Sequence, residues 1–180
     1  PNTIVYADAA YGHANVVVNG TAASVELTDA NAFNAPYDFT AESVKLTRSL
    51  QNGINSFVLP FEVSANELGA SKVATYKSCD LGNVANFETA ESVVANTPFL
   101  TTDAKEASEL TFTNKSIVAT PETLGTDFVG VYTRTKAQGK YGIDEKGNLH
   151  KGGADAYVNP FHACLNVEGV ASVAFDGSVT

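Results

Sequence analysis

Residues 37–61 constrain the fold of this 180-residue chain more than any other part of its sequence. Between residues 42 and 50 the even-numbered positions are mostly apolar and the odd-numbered positions are all polar. That alternation is typical of a strand with one buried face. Residues 51–53 (Gln-Asn-Gly) then supply turn residues, and residues 54–61 form a second apolar segment that Pro60 ends, because proline has no N–H for a sheet. The segment predicts two strands of an antiparallel sheet joined by a short turn.

The remainder of the chain continues in the same style, with strand-length apolar segments roughly ten residues apart and turn residues between them. Only the motif from Ser64 to Glu67, a capping box, favours a helical turn. We therefore expect an all-β fold, an antiparallel β-sandwich of the Greek-key or jelly-roll kind with at most one or two short helical turns. Residues 1–180 are expected to form one domain, with residues 1–36 as an N-terminal β extension and residues 37–180 as the core module.

Turn signals also predict how neighbouring strands pair. The segment 128–135 is apolar on both faces at its start, so it is expected to be a central strand. Four further strand pairs are expected to be hairpins: 14–19 with 23–27, 109–113 with 116–119, 140–144 with 148–151, and 161–167 with 170–175.

Composition excludes several kinds of partner. The net charge is −9, from 20 acidic and 11 basic residues, which disfavours nucleic acid and anionic membrane surfaces. No run of 18 apolar residues exists, so membrane insertion is not expected. With 44% apolar residues the chain can bury a core without metals, and with only 17% charged residues its polar surface must come from Ser, Thr, Asn and Gly. That balance is common in secreted β-rich proteins.

The two cysteines, Cys79 and Cys164, match no metal-ligand spacing. One interpretation is a disulfide, which would close a long loop and contribute on the order of 4 kcal/mol. The other is a pair of small, buried apolar residues. The sequence leaves both open.

From residue 37 onward several segments follow one another in a recognisable order: F-T-A at 39–41 leading into V-K-L-T-R at 44–48, G-I-N-S-F-V-L-P-F at 53–61, A-N-T-P-F-L at 95–100, F-V-G-V-Y at 128–132, the hairpin 141–149, and P-F-H-A-C-L at 160–165. This order resembles a β-rich C-terminal accessory module of secreted and surface proteins of Bacteroides-type bacteria. Ile54 stands where that family often has an aromatic residue, and His162-Ala163-Cys164 where Arg-Ala-Tyr is common. The resemblance implies secretion or display on the cell surface, other domains in a larger parent protein, and no catalytic residues.

The sequence contains no recognisable motif for catalysis or cofactor binding. His13, His150 and His162 are scattered and lack the spacing of a zinc site. There is no G-x-S-x-G elbow and no glycine-rich phosphate loop. Residues 144–148 faintly resemble a calcium loop but fit a hairpin turn better. We therefore expect no enzyme, no cofactor and no metal.

Four tyrosines near predicted loops or strand ends are the candidate ligand-binding residues: Tyr11, Tyr37, Tyr141 and Tyr157. Flat rings can stack on sugars, although tyrosines at the rim of a sandwich core explain the same positions. Two functions remain. The first is binding of a glycan or a host surface ligand; the second is a structural spacer or adhesin-type assembly domain without a small-molecule ligand. An exposed aromatic cluster favours the first, and an open edge strand favours the second.

Overall fold

The computed structural model describes residues 2–80, 83–176 and 178–179, and the all-β prediction is confirmed there. One turn of 3-10 helix, Asn66–Leu68, interrupts the strands. No helix in the described part of the chain is long and apolar enough to cross a membrane. The strands are β1 (Val5–Ala7), β2 (Val16–Val18), β3 (Thr21–Ala22), β4 (Val25–Thr28), β5 (Phe39–Leu50), β6 (Ser56–Phe57), β7 (Val63–Ser64), β8 (Lys72–Cys79), β9 (Val84–Ala90), β10 (Ser92–Val93), β11 (Phe99–Thr102), β12 (Ala107–Ile117), β13 (Phe128–Val131), β14 (Thr135–Lys136), β15 (Tyr141–Ile143), β16 (Leu149–Lys151), β17 (Tyr157–Val158), β18 (His162–Leu165), β19 (Ser172–Phe175) and β20 (Ser178–Val179).

Sheet 1 is organised around β5. Its strand order is β1-β2-β3-β5-β12, and β4 also pairs with β5. Val44, Leu46 and Leu50 are buried while Thr47 and Ser49 are exposed, so the alternation predicted for residues 42–50 is confirmed. This face of the sheet is the one that enters the core.

Sheets 2 and 3 complete the fold. Sheet 2 has the order β20-β19-β9-β8-β11-β6, sheet 3 has the order β13-β18-β15-β16, and β7–β10 and β14–β17 form separate pairs. Four pairings are parallel: β1–β2, β3–β5, β4–β5 and β9–β19. The expectation of a purely antiparallel fold is therefore wrong, because the chain returns to its sheets through long connections as well as tight turns.

Two hydrophobic cores separate the three sheets. Val73 and Phe99 belong to the first core, which also contains the buried face of sheet 1. Their chain neighbours Ala74 and Leu100 belong to the second core, which also contains Leu165 of sheet 3. Since successive side chains of a strand point to opposite faces, sheet 2 is covered on both sides.

The strand pair predicted for residues 37–61 is not a hairpin. β5 lies in sheet 1, whereas β6 pairs with β11 in sheet 2. Between them Gly53 exchanges two backbone hydrogen bonds with Ala104, and the Asn55 side chain bonds the backbone of Gln51. A Cβ on Gly53 would lie 2.4 Å from the carbonyl oxygen of Glu145, so these contacts hold the turn against other segments and away from β5.

The predicted hairpin at Asn114 is also absent. Residues 107–117 form the single strand β12, whose register against β5 continues from Thr113–Ser43 to Lys115–Ala41. Asn114 has a φ of 52°, which is a local feature of a strand and not its end.

The predicted pairing of the last two long strands is wrong as well. β18 lies in sheet 3 and β19 lies in sheet 2, so the turn at residues 168–169 carries the chain between sheets. The strand predicted to be central, β13, is at the edge of sheet 3. Its residues are nevertheless mostly buried, since Gly130 donates its N–H to the carbonyl of Leu124 and the preceding loop covers the edge.

Predictions that depend on short-range contacts fare better. Ser64 and Glu67 make the expected capping-box contacts, with the Glu67 carboxylate accepting from Ser64 N–H at 2.9 Å. Gly69 ends the helical turn in the left-handed conformation. The hairpin of β15 and β16 forms as predicted. The N-terminal hairpin predicted between residues 14–19 and 23–27 is wrong, because β2 pairs with β3 and β4 pairs in parallel with β5.

Of the two interpretations that the sequence leaves open for the cysteines, the structure favours two separate residues, because Cys79 and Cys164 are both free thiols. Cys79 packs against the second core. Cys164 lies between Ala163 and Leu165, which face that core, and therefore points to the opposite side of β18. The alternative, a small buried residue, describes Cys164, which is 2% exposed.

We predict that Gly130→Ala destabilises the fold by about 1–3 kcal/mol. A Cβ at Gly130 would lie 2.7 Å from the Cβ of Val58, so the contact between β13 and the first core must open. Gly153→Ala is the matched control, because a Cβ there meets nothing within 4 Å. Urea denaturation of both variants measures the difference, and equal midpoints would contradict the close approach.

Candidate functional site

A groove of about 490 Å³ is the candidate functional site. It lies beside sheet 3, on the side of β18 opposite the second core. Its lining combines side chains, backbone of three glycines and one buried thiol. Residues that line it include Ser56, Lys140, Gly142, His150, Gly152, Gly153, Tyr157, Asn159, His162 and Cys164.

The hairpin of β15 and β16 forms one wall, and the Asp144 carboxylate shapes its turn. One oxygen accepts from the N–H groups of Lys146 and Asn148 at 2.9 and 2.8 Å, and the other accepts from the Asn148 amide and from His150 Nε2, both at 2.9 Å. Partial burial raises the pKa of Asp144, but the hydrogen bonds from His150, Asn148 and Lys146 outweigh it and hold the pKa well below its usual range. The carboxylate therefore stays ionised and keeps His150 beside the groove.

Backbone hydrogen bonds hold the other wall of the groove close to this hairpin. Gly152 donates to the Lys140 carbonyl at 2.8 Å, and Gly139 donates to the Gly152 carbonyl at 3.0 Å. A Cβ on Gly152 would lie 2.2 Å from the Ala137 carbonyl oxygen, so this contact requires glycine. The segment before Tyr157 is thereby held against the hairpin.

A smaller cavity of about 220 Å³ adjoins the groove and shares Ser56 and His162 with it. Its floor contains Arg48, which is 3% exposed. The guanidinium donates to the carbonyls of Phe161 and Ser56 at 2.8 and 2.6 Å and lies 3.9 Å from the centre of the Phe57 ring. Its Nε has no hydrogen-bond partner within the described residues.

Burial lowers the pKa of Arg48 to about 9, and the charge of Asp29 opposes this shift. Arg48 therefore remains a cation near neutral pH. It makes no direct ion pair in the part of the chain that the structure describes, so its charge is neutralised only from a distance.

His162 connects this cation to the groove. Its Nε2 lies 3.1 Å from a carboxylate oxygen of Asp29. Burial, followed by the positive charge of Arg48, lowers the pKa of His162 to about 4 against the opposing effect of Asp29. The ring is neutral near pH 7. Because an ionised carboxylate can only accept a hydrogen bond, the proton of the neutral ring is on Nε2, which donates a hydrogen bond to Asp29.

The structure separates the four candidate tyrosines. Tyr157 lines the groove, is 42% exposed, and has the Arg134 guanidinium 4.0 Å from its ring centre. Tyr141 packs against the second core. Tyr11 and Tyr37 are exposed outside the groove, and neither lines it.

Sequence reasoning missed Lys140, Asn159 and Arg48 as residues of this region. Arg48 carried a signal, because it lies between Leu46 and Leu50 on the mostly apolar face of the alternating segment 42–50. Lys140 and Asn159 carried no such signal, since the groove forms only when β15, β17 and β18 meet. Among the described residues no three His, Cys, Asp or Glu side chains form a metal-binding group.

Comparison with known proteins adds no assignment. No family model, no curated protein and no solved structure matches this chain.

We predict that stability falls as the pH drops below about 6.5, because of His162. The ordinary pKa of histidine is 6.5 and that of His162 in the fold is about 4, so in this interval the unfolded chain binds a proton that the folded chain does not. The expected loss attributable to His162 between pH 7 and pH 5 is roughly 2 kcal/mol.

The measurement is urea denaturation at several pH values. His162→Gln, which can still donate to Asp29, should flatten the curve above pH 5. His13→Gln, at an exposed position, should keep the original slope. Equal slopes in the parent chain and His162→Gln would contradict the depressed pKa.

Proposed function

We propose that this chain is a non-catalytic module of a secreted or cell-surface bacterial protein, and that its groove binds a glycan. The observation that carries the proposal is the groove of about 490 Å³, which combines the Tyr157 ring with polar side chains and glycine backbone. Binding sites for small molecules pair apolar or aromatic surface with a few fixed polar groups. A sugar offers apolar C–H faces and hydroxyl groups, which match such a lining.

The arrangement of Tyr157 supports this ligand class. Arg134 packs against the ring at 4.0 Å, and β17 pairs with β14, so the ring is held by two neighbouring elements. A ring fixed in this way loses little conformational entropy when a sugar stacks on it. Lys140 and Asn159 add side chains that can hydrogen-bond hydroxyl groups.

The wider setting is proposed from the sequence. The resemblance of residues 37–180 to accessory modules of Bacteroides-type surface proteins supports export, additional domains in a parent protein and the absence of catalysis. It also supports a β-sandwich of Greek-key or jelly-roll type. The lining of the groove contains no carboxyl group among the described residues, whereas glycoside hydrolysis generally uses two.

We predict that Tyr157→Ala weakens glycan binding by at least about tenfold, which corresponds to about 1.4 kcal/mol. A glycan array identifies the ligand, and calorimetry measures the affinity. Tyr37→Ala is the control, because Tyr37 is a surface tyrosine outside the groove. Absence of binding across plant and mucin glycans would overturn the proposal. An equal loss of affinity in both variants would show that the binding site is not at Tyr157.

One observation favours the second function, a structural or assembly domain. β12 is eleven residues long and pairs only with β5 in the described structure, so one of its edges is open. Open edges of this length can pair with another chain. If this is the function, the chain self-associates through β12, and Thr111→Lys with Thr113→Lys, two exposed positions, should reduce the mass seen by sedimentation to that of a monomer. A monomeric parent chain at about 100 µM would contradict self-pairing.

A further inference from the structure

Basic side chains are concentrated near the groove, although the chain as a whole carries a net charge of −9. The segment 134–140, R-T-K-A-Q-G-K, holds three of the eleven basic residues and no acidic one. Lys140 lines the groove, and the other two basic residues lie beside Tyr157, which also lines it: Arg134 contacts the ring of Tyr157, and Lys136 is directly opposite Tyr157 in the β14–β17 pair. The groove is thus a basic region of an acidic protein.

The orientation of Lys140 agrees with this description. Its charge acts on the thiol of Cys164, lowering the pKa that burial raises, and Cys164 lies on the groove side of β18. Lys151 differs, although it also borders the groove. It pairs directly with Tyr141 and therefore shares its face, with its ammonium 5.6 Å from that ring.

The nearest carboxylates have other partners. Asp144 is bonded within its own turn and to His150, and Asp29 is bonded to His162. Asp155 precedes the β17 strand but does not line the groove. Among the described residues no carboxyl group lines the groove, and neither Arg134 nor Lys140 forms an ion pair there.

The buried cation beneath the groove adds to the same field. Arg48 lies in the adjoining cavity, and its charge reaches His162, which both cavities share. Since His162 is neutral near pH 7, it does not by itself attract or repel an anion. Because the charge of Asp29 opposes that of Arg48, only part of this positive field reaches the groove.

We infer that the groove binds an anionic glycan, one whose sugar units carry a carboxylate or a sulfate group, with Arg134 and Lys140 as the recognising cations. The inference rests on the proposed glycan-binding function and narrows its ligand class. A long polyanion such as nucleic acid fits less well, because the overall charge of −9 repels any part that extends beyond the groove. One or two anionic groups near Tyr157 gain the attraction without that penalty.

Calorimetry with matched ligand pairs tests the inference. One pair is oligogalacturonate and its methyl-esterified form, and the other is a sulfated chondroitin oligosaccharide and its desulfated form. We expect at least one anionic member to bind roughly tenfold or more tightly than its neutral partner. Its affinity should fall at least about fivefold between about 50 mM and about 500 mM sodium chloride, because exposed charges are screened. The pair that responds distinguishes carboxylate from sulfate.

Two double variants assign the cations. Arg134→Gln with Lys140→Gln should weaken binding of the anionic ligand at least about tenfold and reduce its salt dependence. Lys77→Gln with Lys105→Gln removes the same charge outside the groove, which neither residue lines, and should change the affinity less than about twofold. Thermal denaturation checks that both variants fold. If the first variant does not fold, the salt dependence of binding to the parent chain decides whether charge attracts the ligand.

The outcomes separate this inference from the function on which it rests. Equal affinity for charged and neutral members overturns the anionic ligand but leaves glycan binding in place. Anionic binding that both double variants weaken equally overturns the role of Arg134 and Lys140. No binding to any of these ligands, or to neutral glycans on an array, overturns both proposals.

Discussion

The arrangement of the three sheets depends on the contacts that the guanidinium of Arg48 makes with each of them. Arg48 belongs to β5 of sheet 1, yet it donates to the carbonyl of Ser56 in sheet 2 and to that of Phe161, which precedes β18 of sheet 3. The guanidinium also stacks on Phe57. Its removal would take a charged donor from both carbonyls and leave the space beneath Phe57 unfilled, and hydrogen bonds from charged groups are worth more than those from neutral groups.

The same contact explains the direction of the chain as it enters the groove. Phe161 has a φ of 66°, a left-handed conformation that is strained for a large side chain. Its carbonyl accepts from Arg48 and from Val58, and its ring packs against Tyr132 in the first core. These contacts stabilise the strained backbone. The turn sends Phe161 to the first core, whereas Ala163 enters the second, so His162 is left facing the groove.

What the sequence could predict follows from the range of the interactions. The alternation along β5, the contacts of Ser64 with Glu67, and the hairpin built on Asp144 all arise between close neighbours in the chain. The assignment of each strand to its sheet depends on contacts between residues that are far apart in the chain. The chain leaves β5 because Asn55 bonds Thr101, 46 residues away, and Phe57 stacks on Phe99. No local pattern contains that information, so the turn signal at residues 51–53 predicts a hairpin that the fold does not form.

The groove shows the same division between local and distant information. Arg48 was visible as a charged residue on an apolar face, but its acceptor Phe161 lies 113 residues away. The basic segment 134–140 is local, yet its meaning depends on β17 and β18, which bring Tyr157 and Cys164 to the same wall. The chain is acidic overall, yet no carboxyl group lines the groove among the described residues, because the fold directs Asp144 into its own turn and Asp29 toward His162. The charge of the site is therefore set by which side chains the fold places there, and net composition alone predicts the opposite sign.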